Sequence, residues 1–366
     1  MNISIFQRVI KIYVTLGKTF GNWISPIFSG ILIGGLWIAV SFAMILDNII
    51  WISLRRKKLK NPIVIVGNPR SGTTFLHRYL VNEKIGAGTE LWQMLYPSLI
   101  LQKLIRPILP ALEKISPARH HSTAAHKTSL RSVETDDVSI LFHYLDGFFL
   151  YGFILSWADE DVFNWFDPQQ RDMSSRDFNW LKSIWKRTLN STKQDRIIGK
   201  LFSVSANMPK FQIKFPEAKI LYMVRDPLNV IPSGLSLVTG VLDKKFGFWS
   251  LPDDIRNRYI KRLYNALVEL LERFHDDWIH NKIDRKNVKI IHFDRMMSDF
   301  DKLMPELLKF IEHEPSEKLI SSIQKTAKEQ RNFISKHKYD LNKFGLTEKQ
   351  IRKDCSFIYK TFLKNQ

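Results

Sequence analysis

The chain has 366 residues, 45% of them hydrophobic, which is enough for one large core and more than a single small domain needs. Its one cysteine, Cys355, excludes an intramolecular disulfide and points to a reducing compartment or to indifference to redox state, so packing must carry stability. Lysine and arginine exceed aspartate and glutamate by 19, which favours anionic partners; nucleic acid is not expected among them, because no module of interleaved basic and aromatic residues is recognisable.

From Thr19 to Leu46 there is no charged side chain, and the run ISPIFSGILIGGLWIAVSFAMIL is long enough to span a bilayer as a helix. Residues 1–60 are therefore predicted to be a membrane-associated segment. Arg55, Arg56, Lys57, Lys58 and Lys60 follow the run, against Arg8, Lys11 and Lys18 before it, and this bias places the bulk of the chain in the cytoplasm. A cleaved signal peptide fits poorly, since its apolar core would start far from Met1 and run too long. A buried helix or a hairpin lying in the membrane interface is the other alternative.

Residues 61–366 read as one catalytic domain. The short apolar runs IVIVG (63–67), RIIGK (196–200), KILYMV (219–224) and VKIIHF (288–293) suit strands of a parallel sheet covered on both faces. Between Ile255 and Trp278 apolar residues recur at steps of three and four, predicting one long amphipathic helix. The stretch from Glu90 to about Asp195 is too long for one crossover and is punctuated by Pro97, Pro107, Pro110 and Pro117. It predicts a mostly helical inserted cap over about 91–195, in which FFLYGFILSW (148–157) is too short to cross a membrane and reads as a buried element. The fold class is α/β: a P-loop-type parallel sheet flanked by helices, with that cap and an N-terminal membrane helix.

GNPRSGTT (67–74) has the Gly-x-x-x-x-Gly spacing of a P-loop and lies between an expected strand and an expected helix, where backbone N–H groups and a helix N-terminus can face a phosphate. The residue after Gly72 is Thr73 rather than the lysine that a triphosphate site needs, and the cation has moved to Arg70. One cation, the hydroxyls of Thr73 and Thr74 and no evident metal partner suit a phosphate carrying a transferable group better than a magnesium-bound triphosphate. A kinase using ATP is the disfavoured alternative.

This loop resembles the 5′-phosphosulfate loop of the sulfotransferases that use 3′-phosphoadenosine 5′-phosphosulfate (PAPS), in the bacterial and Golgi-related branch. YMVRDPLNVIPSGLS (222–236) resembles their 3′-phosphate segment, with Arg225 at a strand end and Ser233 eight residues later. The resemblance covers roughly residues 60–362. It implies PAPS as co-substrate without a metal, a donor site of Arg70, Ser71, Gly72, Thr73, Thr74, Arg225 and Ser233, and a strand-end lysine at Lys200. The Ser and Pro that usually follow that lysine are Leu201 and Phe202 here, and Phe293 and Asp294 replace a Tyr and Glu late in the family pattern. It also implies a Golgi-type membrane if the source is eukaryotic.

An acceptor hydroxyl needs a base, and Glu90 stands where the glutamate-using branches carry theirs; its alternative role is a helix cap ahead of LWQML. His120, His121 and His126, followed by Glu134, Asp136 and Asp137, are further candidates as base or acceptor contacts. No zinc-ligand pattern completes that cluster, and no metal is expected. The net charge fits an acidic glycan as acceptor, whereas the membrane segment and the aromatic cap fit a lipophilic alcohol such as a sterol or lipid, which is the preferred reading. Oligomeric state is not legible.

Overall fold

The Ile- and Val-rich runs form a four-stranded sheet: β1 (Ile63–Val66), β2 (Ile198–Lys200), β3 (Lys219–Val224) and β4 (Val288–His292). Their order is β2-β1-β3-β4 and every neighbouring pair is parallel. The computed structural model describes residues 2–116, 128–332 and 340–364; His120, His121 and His126 lie outside the described residues.

The chain divides into two compact units. One joins Lys60–Ala87, Arg196–Gly234 and Leu267–Gln366 and carries the sheet. Strands β1 and β2 are buried at every position, as unbroken apolar runs covered on both faces should be. Ile63, Ile65, Leu221, Met223 and Ile291 pack with Leu76 and Leu80 of the helix Thr73–Asn82 and with Phe300, Leu303 and Leu307 of the helix Phe300–Phe310. Elsewhere in the unit the Tyr222 ring stacks nearly flat on Phe274, at an interplanar angle of 7°. The register sets Ile65 beside Lys200, Val66 beside Tyr222 and Val224 beside His292, so all four strands end along one edge. In parallel α/β sheets that carboxyl edge is where ligands bind.

The other unit joins Met1–Leu59, Gly88–Asp195 and Leu235–Ala266. Its described inserted region is helical, through Leu91–Leu95, Leu99–Ile105, Leu109–Ile115, Asp137–Tyr144, Phe148–Phe153 and Ser174–Thr192. Helix Ser174–Thr192 turns Phe178, Leu181, Ile184, Trp185 and Leu189 inward, the spacing of a single buried stripe. FFLYGFILSW becomes a short helix and a tight turn, with Leu150, Tyr151, Leu155 and Trp157 buried. Trp157 stacks on Tyr259, whose hydroxyl donates to the Gly152 carbonyl, so the stretch is core.

The N-terminus forms two helices, Ile5–Phe20 and Ser25–Ile50. The second has 26 residues, a hydropathy of 2.1 and little burial, and is long and apolar enough to cross a membrane. Two buried ionic clusters anchor these helices within the unit. Asp146 accepts from Arg171 Nη1 and Nη2 at 3.0 and 2.8 Å, with Arg8 Nη2 at 3.7 Å. Asp47 accepts from Arg187 Nε at 2.9 Å, Ser98 Oγ at 3.0 Å and the Leu99 and Ile100 amides at 2.8 and 3.1 Å. A buried carboxylate is tolerable only with such complete pairing.

Candidate functional site

The loop after β1 owes its shape to three left-handed backbones: Gly67 at φ 143°, Arg70 at φ 75° and Gly72 at φ 93°. A Cβ on Gly67 would lie 2.8 Å from the Met223 carbonyl oxygen, and one on Gly72 would lie 2.7 Å from Met296 Cε and 2.8 Å from Phe293 Cδ2. Only glycine fits at those two places. Asn68 holds the turn: its carbonyl accepts from Ser71 Oγ at 2.7 Å, and its Nδ2 donates to the Leu267 carbonyl at 2.8 Å. Ser71 is buried and its hydroxyl serves the turn. Thr73 and Thr74 open the helix Thr73–Asn82 directly after the loop, so the loop runs into a helix N-terminus with its positive dipole end.

Residues of three elements, all more than 120 positions from the loop, converge on it. Lys200, at the end of β2, donates to Thr74 Oγ1 at 3.1 Å. Arg225, the residue after β3, donates through Nη1 to the Arg70 carbonyl at 2.9 Å and places its guanidinium 3.9 Å from the Phe293 ring centroid. Ser233, one turn and a half into the helix Pro227–Phe246, accepts from Arg70 Nε at 2.9 Å. Arg70, Ser71, Gly72, Thr73, Thr74, Lys200, Arg225 and Ser233 thus lie together in the sheet-bearing unit. Three cations and four hydroxyls, that of Ser71 engaged in the turn, gather at the carboxyl edge of a parallel sheet beside a helix N-terminus, a set of groups whose chemistry suits anions.

Glu90 belongs to the other unit. It caps the helix Leu91–Leu95, its amide donating to Gln93 Oε1 at 2.9 Å, and it pairs antiparallel with Val133. Its carboxylate accepts from Trp92 Nε1. Half-burial raises its pKa above the ordinary carboxylate value, partly opposed by that hydrogen bond and by Arg131 and Arg106. A cap position and a raised proton affinity are compatible in one side chain. Glu134, Asp136 and Asp137 are buried, and Asp136 Oδ1 accepts from Trp185 Nε1 at 3.2 Å while Asp137 Oδ2 accepts from Thr135 Oγ1 at 2.6 Å. His77 is fully buried, with Nε2 on the Ile198 carbonyl at 3.0 Å, a packed side chain. Among the described residues no group of His, Cys, Asp and Glu could hold a metal ion.

Sequence reasoning missed Asn68 and Phe293 as parts of this site. Phe293 lies under Arg225 and against the place where a Gly72 side chain would be, a dual role that depends on the end of β4 coming beside the loop. Asp226, beside Arg225, accepts from Tyr359 Oη and ties the helix Ser356–Thr361 to the segment that presents Arg225.

The chain is 26% identical over 298 residues to omega-hydroxy-beta-dihydromenaquinone-9 sulfotransferase Stf3 of Mycobacterium bovis and to the protein of the same name from Mycobacterium tuberculosis, a match covering 75% of this chain and 72% of each relative. Its fold is similar to crystal structures of sulfotransferase STF1 from Mycobacterium tuberculosis, with TM-score 0.67, 15% identity and coverage of 96% of this chain and 90% of that one, and of sulfotransferase STF9 from Mycobacterium avium, with TM-score 0.63, 16% identity and coverage of 87% and 81%. The model of the sulfotransferase family matches residues 62–317, a span holding the loop, Lys200, Arg225, Ser233 and Phe293. The chain belongs to the sulfotransferase family and is an enzyme of that class.

Proposed function

We propose that this sulfotransferase uses PAPS as donor and a lipophilic alcohol at a membrane as acceptor. The observation that carries the donor reading is the convergence of Arg70, Lys200, Arg225 and Ser233 on one glycine-shaped loop. Its two tight glycines leave room beside the backbone, and its cations match a nucleotide with a phosphate at each of two positions. The donor supplies a sulfuryl group whose departure leaves charge on the 5′-phosphate. Arg70, Lys200, Thr73 and Thr74 neutralise that charge as it grows. Arg225 and Ser233 hold the spectator 3′-phosphate and so fix the donor's position. Glu90 takes the acceptor's proton, and its raised pKa matches a base better than an ordinary exposed carboxylate would.

The lipophilic acceptor is supported by relatives named for a hydroxylated menaquinone derivative and by the apolar helix Ser25–Ile50. The net charge of +19 favours an acidic glycan as the second reading. Membranes containing the full chain, given sulfur-labelled PAPS with separate panels of prenylated quinols, sterols and glycans, test both. Label in an organic-phase product that disappears with Arg70→Ala supports the proposal. Label confined to glycans, or transfer that persists in Arg70→Ala, overturns it.

A further inference from the structure

Both ends of the apolar helix Ser25–Ile50 are tied to one folded body. Ahead of it, the helix Ile5–Phe20 is held by Arg8, which donates to the Tyr144 and Leu145 carbonyls at 3.1 and 2.9 Å. Lys11 pairs with Glu160 and Lys18 with Asp159 in the same unit. At the far end Asp47 is locked to Arg187 and to the amides of Leu99 and Ile100. Trp23, in the turn between the two helices, folds back over Gly17 and meets Tyr13 edge-on at 5.4 Å. A helix crossing a bilayer delivers its two ends to opposite faces, and here both ends bind the same unit.

The packed side of the helix agrees. Val40, Ala43 and Asp47, at steps of three and four, are buried, and Trp37 lies 6.2 Å from His143. Ahead of Trp37, Ser25–Leu36 has no buried position, a stretch that at 1.5 Å per residue is about 18 Å against a hydrocarbon core of about 30 Å. The opposite face nevertheless leaves Ile31, Phe42, Ile45 and Ile49 about 60% exposed or more, and Phe28 and Leu32, ahead of the packed stretch, are exposed as well. Helix Ile5–Phe20 likewise turns Ile5, Phe6, Val9 and Ile10 outward, on the side away from buried Arg8 and Thr15. Exposed apolar area on this scale needs an apolar partner. Cations border it where the apolar helix ends: Lys103 sits 4.7 Å over the Trp51 ring, and Arg55, Arg56 and Arg106 are exposed. A tryptophan and cations beside an apolar face match the headgroup region of an anionic leaflet.

We propose that these two helices form a monotopic anchor: a hairpin that enters a single leaflet of an anionic membrane and leaves on the same side, without crossing. The anchor is independent of what the enzyme sulfates. It makes the leaflet on the enzyme's own side the sole source of any membrane-held acceptor.

The test uses the full chain with Cys355→Ser, a position whose buried thiol is pushed up to about 12, so its loss removes no reactive label site. In inside-out membrane vesicles from expressing cells, Asn2→Cys and Asn342→Cys variants are treated with a membrane-impermeant maleimide before and after detergent. Equal labelling of both before detergent is the expected result. Labelling of Asn342→Cys alone, with Asn2→Cys reacting only after detergent, shows a crossing and overturns the proposal. Flotation with phosphatidylcholine–phosphatidylglycerol vesicles gives the second readout: Phe28→Glu with Ile31→Glu should lower the bound fraction by about tenfold or more while circular dichroism is unchanged. Folded double variant that floats like the parent chain overturns it as well.

Discussion

Arg70 donates through Nε to Ser233 Oγ at 2.9 Å, across 163 positions of sequence. The residue expected on the 5′ side of the donor and the residue expected on its 3′ side therefore touch directly. Ser233 restrains a long, flexible cation, and under the proposed donor reading an arginine held in this way loses less entropy on binding.

Loss of that partner should be measurable. Ser233→Ala is expected to weaken binding of adenosine 3′,5′-bisphosphate by roughly tenfold or more, the effect of one hydrogen bond to a charged group. Arg70→Ala should weaken it further. Isothermal titration calorimetry of the full chain checks both, and equal affinity in parent and Ser233→Ala would remove Ser233 from the site.

Gly72→Ala probes the loop's shape. The new methyl would press on Met296 Cε and on the Phe293 ring, in a backbone at φ 93° that alanine avoids. A loss of about 1–3 kcal/mol in urea unfolding is expected. Because Phe293 also lies under Arg225, the nucleotide Kd should rise more than the stability loss alone would produce. A variant with parent-like stability and affinity would show that the glycine is dispensable.

Glu90→Gln keeps the size and one acceptor oxygen of the cap and removes the carboxylate proposed as the base. Turnover should fall by about 10²–10⁴ with little change in nucleotide affinity. In the parent enzyme, kcat/KM should drop as pH falls through the Glu90 pKa, and burial places that limb above the ordinary value of 4.5. An acid limb at or below 4.5, or an active Glu90→Gln, would assign the proton to another group.

Asp47→Ala isolates the anchor's ionic lock. It leaves the 3%-exposed Arg187 guanidinium without its carboxylate, at an expected cost of about 3–5 kcal/mol. Asp47→Ala together with Arg187→Met should recover part of that loss. Thermal unfolding in detergent or vesicles measures the cycle.

His143 sets a separate acid limit on stability. Its ring stacks on Trp180 at 3.6 Å, and burial, helped by Arg176, lowers its pKa from 6.5 to about 4. The folded state therefore binds fewer protons than the unfolded state between those values, so stability is complete above about 6.5 and is lost as pH falls toward 4. The loss should reach about 1–3 kcal/mol, and His143→Phe, which keeps the stack, should flatten it. Urea midpoints at pH 7 and pH 4.5 decide.

Much of this was legible from local pattern. Four Ile- and Val-rich runs declared a parallel sheet because a strand buried on both faces has no polar alternation, and β1 to β4 fall within two residues of those runs. The long helix read over 255–278 is observed as Asp253–Ile279, since a 3.6-residue apolar period survives any tertiary context. Glycine spacing announced the loop because φ values of 143° and 93° exclude other residues.

Sequence by itself determined which segments would be strands, helices and phosphate loop, and that one helix was apolar enough for a membrane; each of these is a property of neighbours along the chain. Only the tertiary structure decided that Arg70 meets Ser233, that Phe293 supports Arg225, and that Asp47 finds Arg187. Those pairings join residues from 68 to 163 positions apart, and a charge or a ring carries no local mark of the partner that packing will bring to it. The same holds for the apolar helix: its composition set its affinity for lipid, while the ionic ties at its two ends set which way it can lie.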